Sequence, residues 1–242
     1  LGLQLINGKG EHLTFGGQVM KNVAGYDVSR LMAGAMGTLG LITEVSLKVL
    51  PVAPAEATLR FECSQAQALQ RLTTWGGQPL PLNACCWLEE AGTGTLYLRL
   101  RGAIAAVEAA CRKLGGDAAV DPEKHWISVR EQTHPAFAKS PLWRLALPSS
   151  TKPLALDGLR AIEWGGGQRW FAADADSRPH AVRQVAARAG GHAVLFRAPE
   201  SLRCLEGAFS PLSSALLALH QRLKKVFDPK GILNPGRLYA EF

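Results

Sequence analysis

Three glycines at a constant spacing constrain the fold of this chain more than any other feature. Gly34, Gly37 and Gly40 recur every third residue in the run GAMGTLG. Glycine lacks a Cβ, so its backbone can take positive φ or lie very close to a flat or charged ligand. On one side, Tyr26–Ala33 (YDVSRLMA) is typical of a short helix; on the other, Leu41–Leu50 (LITEVSLKVL) alternates like a strand. The predicted order is therefore helix, glycine turn, strand.

That order excludes the two common glycine-rich phosphate motifs. A dinucleotide fingerprint needs a strand before the glycines and a helix after them, which is the reverse of this arrangement. Lys21 lacks the Ser/Thr partner and the glycine spacing of a P-loop. Asp27 stands at the expected N-cap of the short helix. Two interpretations of the glycines remain, tight turn packing and close contact with a ligand.

The stretch resembles the second half of the FAD-binding domain in FAD-linked oxidases of the vanillyl-alcohol-oxidase (PCMH) type. Their pattern is roughly KN-x-x-G-Y-D-L…L-x-x-G-S-E-G-T-L-G-I-I-T. The variant here, KNVAGYD…G-x-x-G-T-L-G, resembles the family's FAD-binding E subunits of bacterial glycolate oxidases. A second family signature, FDPKGILNPG, spans Phe227–Gly236. One departure is Ala35-Met36, where catalytic relatives have Ser-Glu.

The resemblance implies an α+β fold, with the second half of a PCMH-type FAD-binding domain and a ferredoxin-like cap built on a wide antiparallel sheet. We predict three segments: 1–52, the C-terminal part of the FAD-binding domain; 53–207, the cap; and 208–242, a helix and tail that return to the FAD domain. In the family an upstream lobe holds much of the flavin pyrophosphate site, and the chain is expected to lack that N-terminal lobe.

The residue pattern of the middle segment agrees with such a cap. Residues 57–121 predict the order β-α-β-β-α-β, a ferredoxin-like split pattern. The segment after residue 121 looks like a second, degenerate half, and two halves would form one antiparallel sheet with helices on one face. A helix is predicted within Glu123–Phe137, ending near His134-Pro135. Another is predicted over Phe209–Phe227, where apolar residues step by three and four.

The resemblance also implies which residues hold FAD. The Thr38 hydroxyl, apolar walls at Leu39 and Ile42, and main-chain contacts near Ile42 would lie along the cofactor, and Asn234 would reach the flavin ring region. For Asn234 a turn residue before Pro is the open alternative. The full predicted set is Asn22, Gly25, Tyr26, Gly34, Gly37, Thr38, Leu39, Gly40, Ile42 and Asn234.

Catalytic residues cannot be named from the sequence. Four cationic or basic side chains on predicted cap strands could bind a carboxylate, although such residues are more often solvated or structural. Four tryptophans are interpreted as core residues. The cationic or basic side chains are Arg144, Arg169, His192 and Arg197, and the tryptophans are Trp126, Trp143, Trp164 and Trp170.

Composition narrows the function classes. The net charge of +7 is spread along the chain, without the basic stripe interleaved with aromatics that a nucleic-acid binder shows, so no nucleic-acid partner is predicted. Five cysteines without a C-x-x-C pair and six dispersed histidines predict reduced thiols and no metal site. No apolar run reaches the length of a membrane span and no secretory leader is visible, so a cytoplasmic location is expected.

The activity that the resemblance implies is oxidation of glycolate, or a similar small 2-hydroxy acid, to glyoxylate through FAD. Electrons would pass to an iron–sulfur subunit and then to quinone, beside a paralogous flavoprotein subunit, with inner-membrane association through those partners. Two alternatives stay open: an auxiliary structural subunit that supports a paralogous flavoprotein, and a small-ligand sensor built on the ferredoxin-like cap.

Overall fold

The computed structural model of the chain describes residues 1–17, 26–90, 93–172 and 179–241. These residues divide into two compact units, Leu1–Pro51 with Pro211–Phe242, and Val52–Ser210. In chain order the elements are β1 (Gly2–Ile6), β2 (His12–Gly16), α1 (Val28–Leu31), β3 (Leu41–Ser46), β4 (Ala55–Glu62), α2 (Gln65–Gly76), β5 (Leu82–Glu90), β6 (Thr93–Gly102), α3 (Ile104–Leu114), β7 (Asp117–Ala118), α4 (Pro122–Arg130), β8 (Leu142–Ala146), β9 (Leu159–Glu163), β10 (Gln168–Ala172), α5 (Pro179–Arg188), β11 (His192–Arg197), α6 (Glu200–Glu206) and α7 (Ser214–Phe227), with short 3₁₀ helices at Pro135–Phe137 and Trp164–Gly166.

The first unit contains a small antiparallel sheet in the order β2-β1-β3. The pair Asn7-Gly8 is a sequence signal for a hairpin turn, and β1 and β2 do form a hairpin, in which Leu3 lies opposite Phe15. Asp27 caps α1, because its carboxylate accepts a hydrogen bond from the Arg30 amide at 2.9 Å. The core of this unit consists of buried residues from β1, the glycine turn and the last helix: Leu3, Leu5, Met32, Leu39 and Phe227.

The second unit is built on one eight-stranded sheet in the order β11-β8-β10-β9-β5-β6-β4-β7. All of its strand pairs are antiparallel, and the longest ladders join β6 to β4 and to β5. The link between its two halves is the β5–β9 pair, in which Trp87 lies opposite Ile162. The predicted fold class, α+β with a wide antiparallel sheet, is confirmed.

The prediction that helices cover one face of this sheet is wrong. Helices α2, α3 and α5 pack with the main core cluster, which includes Leu98 of β6. The opposite face has its own cluster, where Trp126 of α4 packs with Cys86 and Leu88 of β5. Because neighbouring residues of a strand point to opposite faces, Cys85 and Cys86 contribute to different clusters.

Several element boundaries also differ from the prediction. The helix expected over Glu123–Phe137 stops at Arg130, because Gln132 has a left-handed φ of 56° that a helix cannot continue through. The helix expected from Phe209 begins at Ser214, after Pro211, with the Ser213 hydroxyl as its N-cap. Strand β3 ends at Ser46, four residues early, and α6 was not predicted.

Truncating Leu98 tests the main core of the second unit. Leu98 is almost completely buried, and Leu98→Ala is expected to lower the free energy of unfolding by about 2–5 kcal/mol through lost burial and a residual cavity. All six tryptophans belong to the second unit, so urea unfolding followed by tryptophan fluorescence reports on it. The matched control, Leu205→Ala at an exposed position, should change stability by less than about 0.5 kcal/mol; equal losses for the two variants would contradict the assigned core.

Candidate cofactor site

The glycine turn between α1 and β3 has a backbone that most side chains would strain. Gly34 and Gly37 have φ of 81° and 74°, and Met36 between them has φ of 51°. The amide and the hydroxyl of Thr38 both donate to the Ala35 carbonyl, at 3.0 and 2.8 Å. The turn is therefore closed by its own hydrogen bonds, and positive φ explains two of its three glycines.

The C-terminal signature lies directly against this turn. Asn234 Nδ2 donates to the Met36 carbonyl at 2.8 Å, joining residues 198 positions apart in the sequence. A Cβ added to Gly37 would lie 2.7 Å from the same Asn234 nitrogen. Gly37 is thus required both for its φ and for the close approach of the tail. The structure brings the two signature motifs together at one point.

A buried lysine holds the turn and the tail in place. The Lys224 ammonium of α7 donates to the Thr38 carbonyl at 2.8 Å, to the Leu233 carbonyl at 2.6 Å and to Asp228 Oδ2 at 2.7 Å. Lys224 is 6% exposed and Asp228 is 2% exposed. An ammonium group has three donors, and each of them has a partner here. Because each partner comes from a different segment, the side chain fixes the helix end, the turn and the tail relative to one another.

Asp228 completes this arrangement. Burial alone would raise its pKa, but the hydrogen bond from Lys224 and the amides of Leu233 and Ile232 lower the pKa below the ordinary aspartate value. The two amide bonds are 2.7 and 3.2 Å long. A Cβ on Gly8 would lie 2.2 Å from Asp228 Oδ1, so the β1–β2 hairpin also packs against this carboxylate. Asp228 is therefore held as a carboxylate, as a buried charge with these partners should be.

A cavity of about 660 Å³ opens beside the contact between turn and tail, within the usual range of ligand pockets. The residues that line it are Met36, Asn234, Pro235, Gly236 and Arg237, which include one apolar, one amide and one cationic side chain. Flat apolar rings and an anionic group are the ligand features that such walls suit. The residues present therefore fit a flavin nucleotide.

The predicted cofactor residues fall into distinct groups. Asn22 and Gly25 lie outside the described residues. Thr38 is 1% exposed with its hydroxyl engaged by Ala35, and Leu39 belongs to the core, so both support the turn from within.

Gly40 also serves packing, because a Cβ there would lie 2.9 Å from Leu5 Cδ1. The predicted residues whose surfaces are open to a ligand are Tyr26, Gly34, Gly37, Ile42 and Asn234, with Tyr26 98% exposed.

The cap arginines do not form a common carboxylate site. Arg169 is completely buried and donates to the backbone carbonyls of Gly166, Lys152 and Thr151, so its role is structural. Arg197 donates to the Phe137 carbonyl at 2.5 Å.

The guanidinium of Arg144 lies 5.6 Å from the ring centroid of Phe196, and His192 is exposed. Among the tryptophans interpreted as core, Trp164 is the exception, since it is 78% exposed. No cluster of three metal-binding side chains occurs within the described ranges.

Sequence reasoning missed Lys224 and Asp228. Their spacing of four residues at the end of an amphipathic helix is a visible signal for an ion pair. The same spacing on an exposed helix face is common, however, and the sequence gives no indication that this pair is buried.

Comparison with known proteins shows which protein family this chain resembles. Residues 211–238 match the C-terminal domain of FAD linked oxidases. Over all 242 residues the chain is 44% identical to glycolate oxidase subunit GlcE of Escherichia coli (strain K12), and it spans 65% of that relative's length. A 59-residue segment is 41% identical to glycolate oxidase subunit GlcD of Bacillus subtilis (strain 168), covering 24% of this chain and 13% of that protein.

The solved structures of alkyldihydroxyacetonephosphate synthase in two crystal forms share the fold. Their TM-scores are 0.54 and 0.56 at 14% and 15% identity, over 98% and 97% of this chain and 54% and 53% of the synthase. The resemblance to FAD-linked oxidases, and among them to the E subunit of glycolate oxidase, is confirmed.

Removing the buried ammonium tests its role in this unit. Lys224→Met leaves Asp228 buried without its cation, and we expect a loss of about 3–5 kcal/mol in the free energy of unfolding. Urea unfolding followed by circular dichroism measures the change. The neighbouring Lys225 is exposed, so Lys225→Met is the matched control and should cost less than about 0.5 kcal/mol. If Lys224→Met is equally mild, the ammonium does not organise the turn.

The low pKa of Asp228 predicts a dependence of stability on pH. A carboxyl with a depressed native pKa contributes stability above its unfolded pKa of about 3.9, and loses it as the pH falls through the native value. The stability difference between the wild type and Asp228→Asn should therefore shrink as the pH falls below about 5. Comparing urea unfolding of the two proteins cancels the other carboxylates. A difference that is independent of pH would contradict a low native pKa.

Proposed function

We propose that this chain is part of the FAD-binding subunit of a glycolate oxidase, and that the contact between its glycine turn and its C-terminal tail faces the flavin. The observation that carries the proposal is the 2.8 Å hydrogen bond from Asn234 to Met36, which places both family signatures beside one cavity. Identity of 44% over the full chain to a glycolate oxidase subunit supports the same assignment.

Bound FAD would supply the electron acceptor for oxidation of glycolate, or a similar small 2-hydroxy acid, to glyoxylate. The contribution of this chain is to bind and orient the FAD. The backbone of Gly34 and Gly37 permits close approach of a flat ring, while Met36 and Ile42 provide apolar surface. Arg237 lines the cavity, and a guanidinium suits a phosphate group.

Ala35-Met36 supports a second candidate, an auxiliary subunit that stabilises a paralogous flavoprotein. Catalytic relatives have Ser-Glu at these positions, and the half-exposed Met36 side chain carries no acid to move a proton. Adding glycolate to the FAD-loaded subunit separates the two candidates. The flavin absorbance of a catalytic subunit should bleach without a partner, whereas that of an auxiliary subunit should bleach only when its partner is present.

The proposed assembly contains a paralogous flavoprotein subunit and an iron–sulfur subunit that passes electrons on. We place this complex in the cytoplasm, within glyoxylate metabolism, with any association with the inner membrane mediated by the partners. Along the described part of the chain, every helix is too short or too polar to cross a bilayer.

A FAD titration of the purified protein tests the proposed site. Gly37→Ala puts a methyl group 2.7 Å from Asn234 Nδ2 and strains a backbone at φ 74°, so the dissociation constant for FAD should rise at least about tenfold. Asn234→Ala, which removes the bond to Met36, should act in the same direction.

The control for the titration is Gly10→Ala, at φ 82° in the β1–β2 turn with open space around it, which imposes similar backbone strain away from the cavity. Flavin absorbance and fluorescence quenching report the binding. Equal FAD affinity for the Gly37 and Gly10 variants would remove the turn from the cofactor site.

A further inference from the structure

Helix α4 and the 3₁₀ helix that follows it cover part of one face of the eight-stranded sheet. We call residues 122–137, which include both helices, the α4 segment. Trp126, Val129 and Phe137 of this segment are buried in one cluster with Cys86 of β5. The attachment of the α4 segment therefore decides whether this part of the sheet is shielded from water.

Two histidines of the α4 segment lie at this attachment. The His125 ring stacks on Tyr97 of β6, with the ring centroids 3.7 Å apart and the ring planes at 26°. The same ring makes a T-shaped contact with Trp126 at 5.0 Å, and the His134 ring lies 6.3 Å away. His134 is held in turn, because its Nδ1 accepts from the Ala136 amide at 3.2 Å. The imidazole of His125 is thus part of the contact between the segment and the sheet.

The surroundings of His125 favour the neutral ring. Its Nε2 atom is buried and has no hydrogen-bond partner in the part of the chain that the structure describes. A protonated imidazole donates from both nitrogens, so the proton on Nε2 would have no acceptor. His125 also belongs to the first turn of α4, where the helix dipole disfavours a positive charge. Burial, and after it the nearby His134, lowers the pKa of His125 to about 4.

The charged groups around the ring do not compensate for a positive charge on it. The nearest carboxylate on the sheet, Glu62, is already paired with Arg60 at 2.7 Å, and Arg60 itself hydrogen-bonds with Tyr97. The two carboxylates at the start of α4, Asp121 and Glu123, are exposed, so water and salt screen them. The titratable and charged groups on the surrounding elements are Arg60 and Glu62 of β4, Cys86 of β5, Tyr97 and Arg99 of β6, His134, and Asp121, Glu123 and Lys124 at the start of α4.

We propose that the α4 segment is an acid-sensitive cover, which leaves the sheet when His125 takes up a proton. The covered form requires the neutral ring stacked on Tyr97, whereas the open form places the ring in water, where it can carry the charge. The device is separate from the proposed flavin site, because all of its residues belong to the second unit.

The direction and the pH range of the opening follow from proton linkage. The pKa of His125 in the covered form lies below its value of about 6.5 in an open, hydrated segment. The neutral ring therefore stabilises the cover fully above about pH 6.5, and this stabilisation is lost as the pH falls towards about 4. Between about pH 7.5 and pH 5.5 the equilibrium constant for opening should rise about tenfold.

Labelling of a covered thiol in the whole chain tests the proposal. Cys86 carries a thiol and is completely buried in the cluster that the α4 segment completes. Dithiodipyridine, a disulfide reagent that reacts with thiols at acidic pH, is added, and mass spectrometry follows each cysteine. The ratio of the labelling rate in the urea-unfolded chain to that in the native chain is the protection of a thiol at that pH. Protection of Cys86 should fall about tenfold from about pH 7.5 to pH 5.5, whereas protection of Cys63, in the other cluster, should change less than about twofold.

Variants assign the opening to one imidazole. His125→Phe keeps a ring against Tyr97 but cannot take up a proton, so protection of Cys86 should change less than about twofold over the same pH range. The matched control, His192→Phe at an exposed position, should behave like the wild type. If His125→Phe lowers the thermal unfolding midpoint, His125→Gln repeats the test with a smaller uncharged side chain. Constant protection of Cys86 in the wild type, an equal fall at Cys63, or an undiminished fall in the His125 variants overturns the proposal.

Discussion

The first unit depends on one buried ammonium group. Lys224 joins the end of α7 to the glycine turn through Thr38 and to the tail through Leu233, while Asp228 neutralises its charge. A buried charge is tolerated only when its hydrogen bonds and counter-ion are in place, so the segments around it have little freedom to move apart. The family signature at the C-terminus is thus first a structural device, because its Asp228 and Leu233 are the partners of this lysine.

The candidate cofactor site depends on that arrangement. Once the tail is fixed against the turn, Asn234 meets the Met36 carbonyl and leaves no room for a side chain at Gly37. The two interpretations of the glycines therefore apply to different positions. Gly40 is explained by packing against Leu5, whereas Gly34 and Gly37 are exposed on a positive-φ backbone that a ligand can approach.

The sequence predicted the features of this fold that depend on neighbouring residues, but not those that depend on residues far apart in the chain. The Asp27 cap and the β1–β2 hairpin depend on residues within a few positions of each other, and the sequence predicts both. The burial of Lys224 and Arg169 and the exposure of Trp164 depend on partners far along the chain. Residue type then misleads, because lysine and arginine are usually solvated and tryptophan is usually buried.

Hydrogen–deuterium exchange with and without FAD tests the central claim most directly, because it locates the cofactor without any substitution. If the turn and the tail together face the flavin, peptides covering residues 34–40 and 232–237 should become protected together on addition of FAD, while peptides of β6 should not change. Protection of β6 in place of the turn and tail, or protection of neither segment at saturating FAD, would contradict the account.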